Sequence, residues 1–162
     1  MQTRGETTMR NVKSLALALV LALLGAVGLA RAEPVNRVDK VSNNDFARTV
    51  QQLETALKGK GMMIVATIDH QNMMRMVGAN LKGAKTIEFG KPDMGKMTIA
   101  SNPESGLEMP GKIYVWDRVD GKTVVSYYRA APAFAAYGKD NLTMAGEMMD
   151  KMLGEIVIEA TK

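Results

Sequence analysis

Phe46, Val50, Leu53 and Leu57 recur at steps of four, three and four, the spacing of one face of an amphipathic helix. Ser42-Asn43-Asn44-Asp45 precedes them with side chains that accept bonds from free helix N–H groups. Gly59 and Gly61 follow and predict the end of the helix, since glycine takes the left-handed cap conformation cheaply. A strand around Val35 to Val41 leads in. Met62 to His70 reads as a strand, with Val65 and Thr67 on one face and Ile64, Ala66 and Ile68 on the other. Gln71 to Leu81 predicts a short helix carrying Met73, Met74, Val77 and Leu81. Strands are expected at Lys85 to Phe89 and Met94 to Ala100, with a turn at Gly90 to Asp93 between them. A polar loop from Ser101 to Gly106 follows.

The sharpest local signal is a hairpin. Lys112 to Val119 and Lys122 to Arg129 flank Asp120-Gly121, a pair suited to a two-residue turn with positive φ. That turn sets Val119 opposite Lys122, Trp116 opposite Val125, Tyr114 opposite Tyr127 and Ile113 opposite Tyr128. Both faces of the hairpin carry apolar residues. One covers a core, and the other needs a helix, a ligand or a second subunit. A last helix is expected from Asp140 or Asn141 to about Ala160, with Ala145, Met149, Met152 and Ile156 as its stripe. The order of elements predicts an α+β domain: an antiparallel sheet with helices on one face.

The first 32 residues have a different pattern. Arg4, Arg10 and Lys13 precede an apolar run from Ser14 to Leu29, and Ala30-Arg31-Ala32 supplies small residues at a cleavage point. This order predicts a secretory signal peptide over residues 1–32 and a single exported domain over 33–162, periplasmic or secreted and beginning at Glu33. The run is short for a spanning helix, which needs about 20 residues, and no later segment is long enough. Cleavage also changes the charge. The whole chain carries +4, but removing Arg4, Arg10, Lys13, Arg31 and Glu6 leaves 17 basic and 16 acidic side chains. A nearly neutral domain lacks the footprint of a nucleic-acid binder. The chain has no cysteine, which excludes disulfides, thiolate catalysis and thiolate metal sites.

A set of short motifs carries a resemblance. Ile68-Asp69-His70 is followed by Gly78 and Leu81, then by Ile87-Glu88-Phe89-Gly90-Lys91-Pro92 with Gly95 nearby. Met109-Pro110, Lys112-Ile113-Tyr114-Val115-Trp116, Asp120-Gly121-Lys122 and Ser126-Tyr127 complete the set. In this order they resemble the bacterial domain-of-unknown-function 302 family, over most of residues 44–161. The resemblance implies a β-α-β4-α fold of the TBP-like type, often seen as a dimer, and supplies no catalytic reaction. The chain departs from the family pattern at Gln71 to Met76, at Gly95 to Ile99 and at Glu108 to Lys112. Two of those departures add methionine.

Methionine is the compositional outlier, with 14 in the chain and all but Met1 and Met9 after the leader. Thioether sulfur is soft and uncharged and suits Cu(I) or Ag(I). His70, Met73, Met74 and Met76 are the tightest group. Met94, Met97 and Met109 form a looser one, and Met144, Met148 and Met152 step by four along the last helix. Methionine is also an adaptable core filler, so packing competes with ligation at each group. Catalytic signals are weaker: Asp69 and His70 are strand neighbours that point to opposite faces, and no serine sits in a nucleophile-elbow pattern. The sequence therefore predicts an exported, non-catalytic binding or interaction domain, a homodimer, with a small apolar ligand as one candidate partner. Soft-metal binding and an uncharacterised enzyme are the alternatives.

Overall fold

Asp45 begins the first helix by accepting a bond from the Arg48 N–H at 2.8 Å. Helix α1 then runs Phe46–Gly59. Two bonds close it, Met62 N–H to Leu57 O at 3.0 Å and Gly61 N–H to Lys58 O at 2.9 Å. Gly61 sits at φ +73°, so this is a Schellman cap. The computed structural model describes residues 35–162, which cluster as one unit. The expected signal peptide and its cleavage point lie outside the described residues.

The remaining elements are β1 (Arg37–Val41), β2 (Met63–Asp69), α2 (His70–Met76), β3 (Ala84–Gly90), α3 (Pro92–Met97), a 3-10 turn (Pro103–Glu108), β4 (Gly111–Asp117), β5 (Thr123–Tyr128), α4 (Ala131–Ala135) and α5 (Asp140–Ala160). The strands form one antiparallel sheet in the order β1-β5-β4-β3-β2. Helices α1 and α5 cover one face. Val50, Leu53 and Leu57 of α1 and Ala145, Met149, Leu153 and Ile156 of α5 pack on Ile87, Phe89, Ile113, Val115 and Val125 of the sheet. Each large side chain buried there contributes about 1.5–3 kcal/mol. The α+β class with an antiparallel sheet holds, and α5 spans the range its stripe predicts. Among the described residues, no helix is long and apolar enough to cross a membrane.

Several local expectations are corrected. Met94 to Ala100 is not a strand. Pro92 occupies the start of α3, where its fixed φ suits a helix, and the Thr98 N–H and hydroxyl both bond to Met94 O. Helix α2 stops at Met76 instead of Leu81, because Gly78 at φ +78° caps it, with Ala79 N–H bonded to Met74 O at 2.9 Å. Strand β2 contains a bulge between Ile64 and Ala66. Ile64 packs on the core, while Ala66 and Ile68 pair with Glu88 and Thr86 and point to the other face, so the expected shared face is broken.

The hairpin is shifted by one residue. Ile113 pairs with Tyr127, Tyr114 with Ser126 and Trp116 with Val124. The loop has three residues, Val119 to Gly121, with Gly121 N–H bonded to Arg118 O at 3.0 Å and Gly121 at φ +82°. The expected two-residue turn would have put Ser126 beside Val115 in the core. The observed register puts Val125 and Tyr127 there instead. A slip of one residue exchanges the two faces of a strand.

Candidate functional site

Alternation along β4 turns Ile113 and Val115 into the core and therefore sends Tyr114 and Trp116 to the opposite face, away from α1 and α5. Their rings stack with centroids 6.4 Å apart and planes at 11°. The indole Nε1–H of Trp116 donates to Ser126 Oγ at 2.8 Å on the paired strand. On the other side of Tyr114 stands His70, the first residue of α2, with its ring edge-on at 5.7 Å and 81°. Its Nε2 is 2.8 Å from Thr86 Oγ1 on β3. The result is a row, His70–Tyr114–Trp116, fixed at both ends by hydroxyl partners.

A cavity of about 290 Å³ opens beside this row, lined by Arg37, Thr86, Lys112, Tyr114, Ser126 and Tyr128 among others. Its cations are locally paired, Arg37 with Asp39 at 2.9 Å and Lys112 with Glu88 at 3.8 Å. Burial pushes the Tyr114 phenol above its ordinary pKa, so it stays a neutral hydroxyl at physiological pH. A second cavity of about 270 Å³ shares Lys112 and Tyr128 as walls and reaches Phe89, Phe134 and Leu153 between the 3-10 turn and the helices. An aromatic wall with a few hydroxyls and flanking charges is suited to holding a planar, mostly apolar molecule.

The residues expected to bind metal are distributed as follows. His70 is half-buried, and α2 buries none of its side chains, leaving Met73 45%, Met74 37% and Met76 73% exposed. These methionines are not core filler. His70, Met73 and Met74 lie at helix positions i, i+3 and i+4 and share a face. Met76 follows Met73 at i+3 and stands about 120° round the helix from His70. In the other groups, Met94 and Met149 are buried in the core, Met97 and Met152 pack against it, and Met144 and Met148 are exposed. Among the described residues there is no cluster of three His, Asp or Glu side chains.

Asp69 is no partner for His70. Its carboxylate caps α2 by accepting from the Asn72 N–H at 2.9 Å and lies 3.9 Å from Lys85 Nζ. The sequence reading missed Thr86 and Ser126. The signal for Ser126 was present in the alternation of the hairpin, but the one-residue error in register set Tyr114 opposite Tyr127 and hid it. Thr86 could be found only by knowing that β3 lies between β2 and β4.

No curated protein matches the chain significantly. Among solved structures, the crystal structure of an uncharacterized conserved protein DUF302 from Bacillus stearothermophilus is similar, with a TM-score of 0.72 and 15% identity over 80% of this chain and 100% of that one. At that identity the likeness shows the fold. The family model described as Domain of unknown function DUF302 matches residues 38–159. By that match over most of its length, the chain belongs to the DUF302 family.

Proposed function

We propose that this is an exported, non-catalytic binding domain that holds a small planar, mostly apolar ligand on the outer face of its sheet. The observation that carries the reading is the aromatic row His70–Tyr114–Trp116 beside the open cavity. Export rests on the leader pattern of residues 1–32. The absence of a catalytic role rests on how the polar groups are used. Ser126 Oγ is engaged by the indole of Trp116. Thr86 and His70 are within hydrogen-bond reach, but the ring packs against Tyr114 and not against a carboxylate that would orient it as a base.

Trp116 is the sole tryptophan of the chain and so reports on this face directly. The test is a titration with anilinonaphthalene sulfonate, a planar apolar anion, followed by energy transfer from Trp116. Saturable transfer is expected in the wild type. Thr86→Phe, which puts a bulky ring at a residue lining the cavity, should abolish it while circular dichroism stays unchanged. Equal transfer in both proteins sinks the reading.

A second reading, self-association as a two-fold dimer, is favoured by the two sheet edges. The β1 edge carries Arg37, Asp39 and Lys40, while β2 has no charged side chain before Asp69 and leaves Met63 and Val65 60% and 62% exposed. An uncharged, open edge strand is a template for pairing with another chain. Light scattering should give a dimer for the wild type and a monomer for Val65→Lys. A monomeric wild type at micromolar concentration removes this reading.

A further inference from the structure

We infer that the exposed face of α2 is a Cu(I) site, with His70 Nδ1 and the thioether sulfurs of Met73 and Met74 as its ligands. The inference does not depend on the sheet-face ligand, since it uses the other nitrogen of the His70 ring.

Three observations carry it. The first is phase. Side chains of a helix lean toward its N-terminus, so Met73 and Met74 lean back over the turn that His70 begins. The second is the setting of the imidazole. Metal-bound histidines are held by a hydrogen bond at the nitrogen that does not bind the metal. Thr86 Oγ1 occupies that place at Nε2, and Tyr114 steadies the ring edge-on. In the tautomer in which Nε2–H donates to Thr86 Oγ1, Nδ1 carries the lone pair a metal needs. The third is exposure. A methionine normally earns its place by filling a core, yet α2 buries nothing.

The helix is also held before any metal arrives. Asp69 caps its start and Gly78 its end, so its seven residues present a fixed donor face. The donor set selects the ion. One neutral imidazole and two neutral thioethers suit a soft monovalent cation in three-coordination, and they serve a hard divalent ion poorly. Asp69 cannot shift that preference while it is spent on the cap and on Lys85. The hydrophobic core lies on the opposite side of the sheet, so the apo-protein folds without metal, unlike a zinc finger.

The test uses residues 33–162 with methionine methyl groups labelled, titrated anaerobically with Cu(I) against a chelator and, in parallel, with diamagnetic Ag(I) by NMR. The expected result is one equivalent bound, with the methyl signals of Met73 and Met74 shifting and those of Met144 and Met148 unmoved. Met73→Leu/Met74→Leu keeps volume and removes sulfur, and it should lose the binding. Thr86→Val should weaken it by about 10–100-fold, as loss of a partner behind a metal-bound histidine does. His70→Ala should abolish it, with circular dichroism unchanged in every variant. Equal affinity of the wild type and the leucine variant overturns the site. So does a shift of Met144 and Met148 alongside Met73 and Met74, which would mean indiscriminate capture by exposed thioethers.

Discussion

Gly146 of α5 lies against the backbone of Ala131 at the start of α4: a Cβ at position 146 would stand 2.7 Å from Ala131 Cα and 3.0 Å from Phe134 Cβ. Neither neighbour is the free end of a flexible side chain, so α4 would have to move. Alanine gains about 1 kcal/mol over glycine in a helix interior, but overpacking costs about 1–3 kcal/mol. Gly146→Ala should therefore lower the thermal midpoint. Gly154→Ala in the same helix, where nothing lies within 4 Å, should raise it.

The three-residue loop of the hairpin depends on Gly121 at φ +82°. A residue with a Cβ pays roughly 1–2 kcal/mol in that left-handed conformation. Gly121→Ala should be destabilised by about that amount in urea denaturation, and Gly121→Asn by less, since asparagine tolerates the region.

Trp116 depends on Ser126 for its one hydrogen bond. Ser126→Ala leaves the half-buried indole N–H without its partner, at a cost of about 1–3 kcal/mol. The emission spectrum of the single tryptophan should change at the same time, as the ring loses its anchor. A stability loss with an unaltered spectrum would separate the indole from the bond.

Lys60 and Glu155 join α1 to α5 at 2.7 Å. The Lys60 ammonium holds the Glu155 carboxyl below the ordinary carboxylate value, and Glu155 raises Lys60. A lowered carboxyl contributes stability above its unfolded pKa and loses it as pH falls through the folded one. A raised lysine loses its share only as pH climbs through its folded value, above the ordinary one. Glu155→Gln should thus flatten the acid limb of the stability profile below the usual carboxylate pKa. Because the pair is exposed, added salt should shrink the difference at neutral pH.

How much of this was legible in the sequence depended on the range of the interaction. The stripe Val50, Leu53 and Leu57 and the caps at Asp45 and Gly61 are local, and they gave α1 nearly to the residue. The β-rich look of Met97 to Ile99 misled because Pro92, five residues earlier, commits the chain to a helical turn. The hairpin was visible but its register was not: Asp120-Gly121 fits a two-residue and a three-residue loop equally, and only burial of Val125 and Tyr127 against α5 decides between them. The candidate site was half visible. His70 and the methionines after it stand together in the sequence, whereas Thr86, Tyr114 and Ser126 reach His70 and each other only through the pairing of β2, β3, β4 and β5.

The unequal edges of the sheet also set a limit on size. A chain with one bare edge and one guarded by Arg37, Asp39 and Lys40 would join a like chain only once. Pairing β2 to β2 would consume both bare edges and leave a charged β1 at each end of a ten-stranded ribbon. Growth would halt there, because like-for-like contact closes on itself and offers no further template. If β2 pairs as proposed, the same asymmetry would guard a protein without disulfides against running on into fibres.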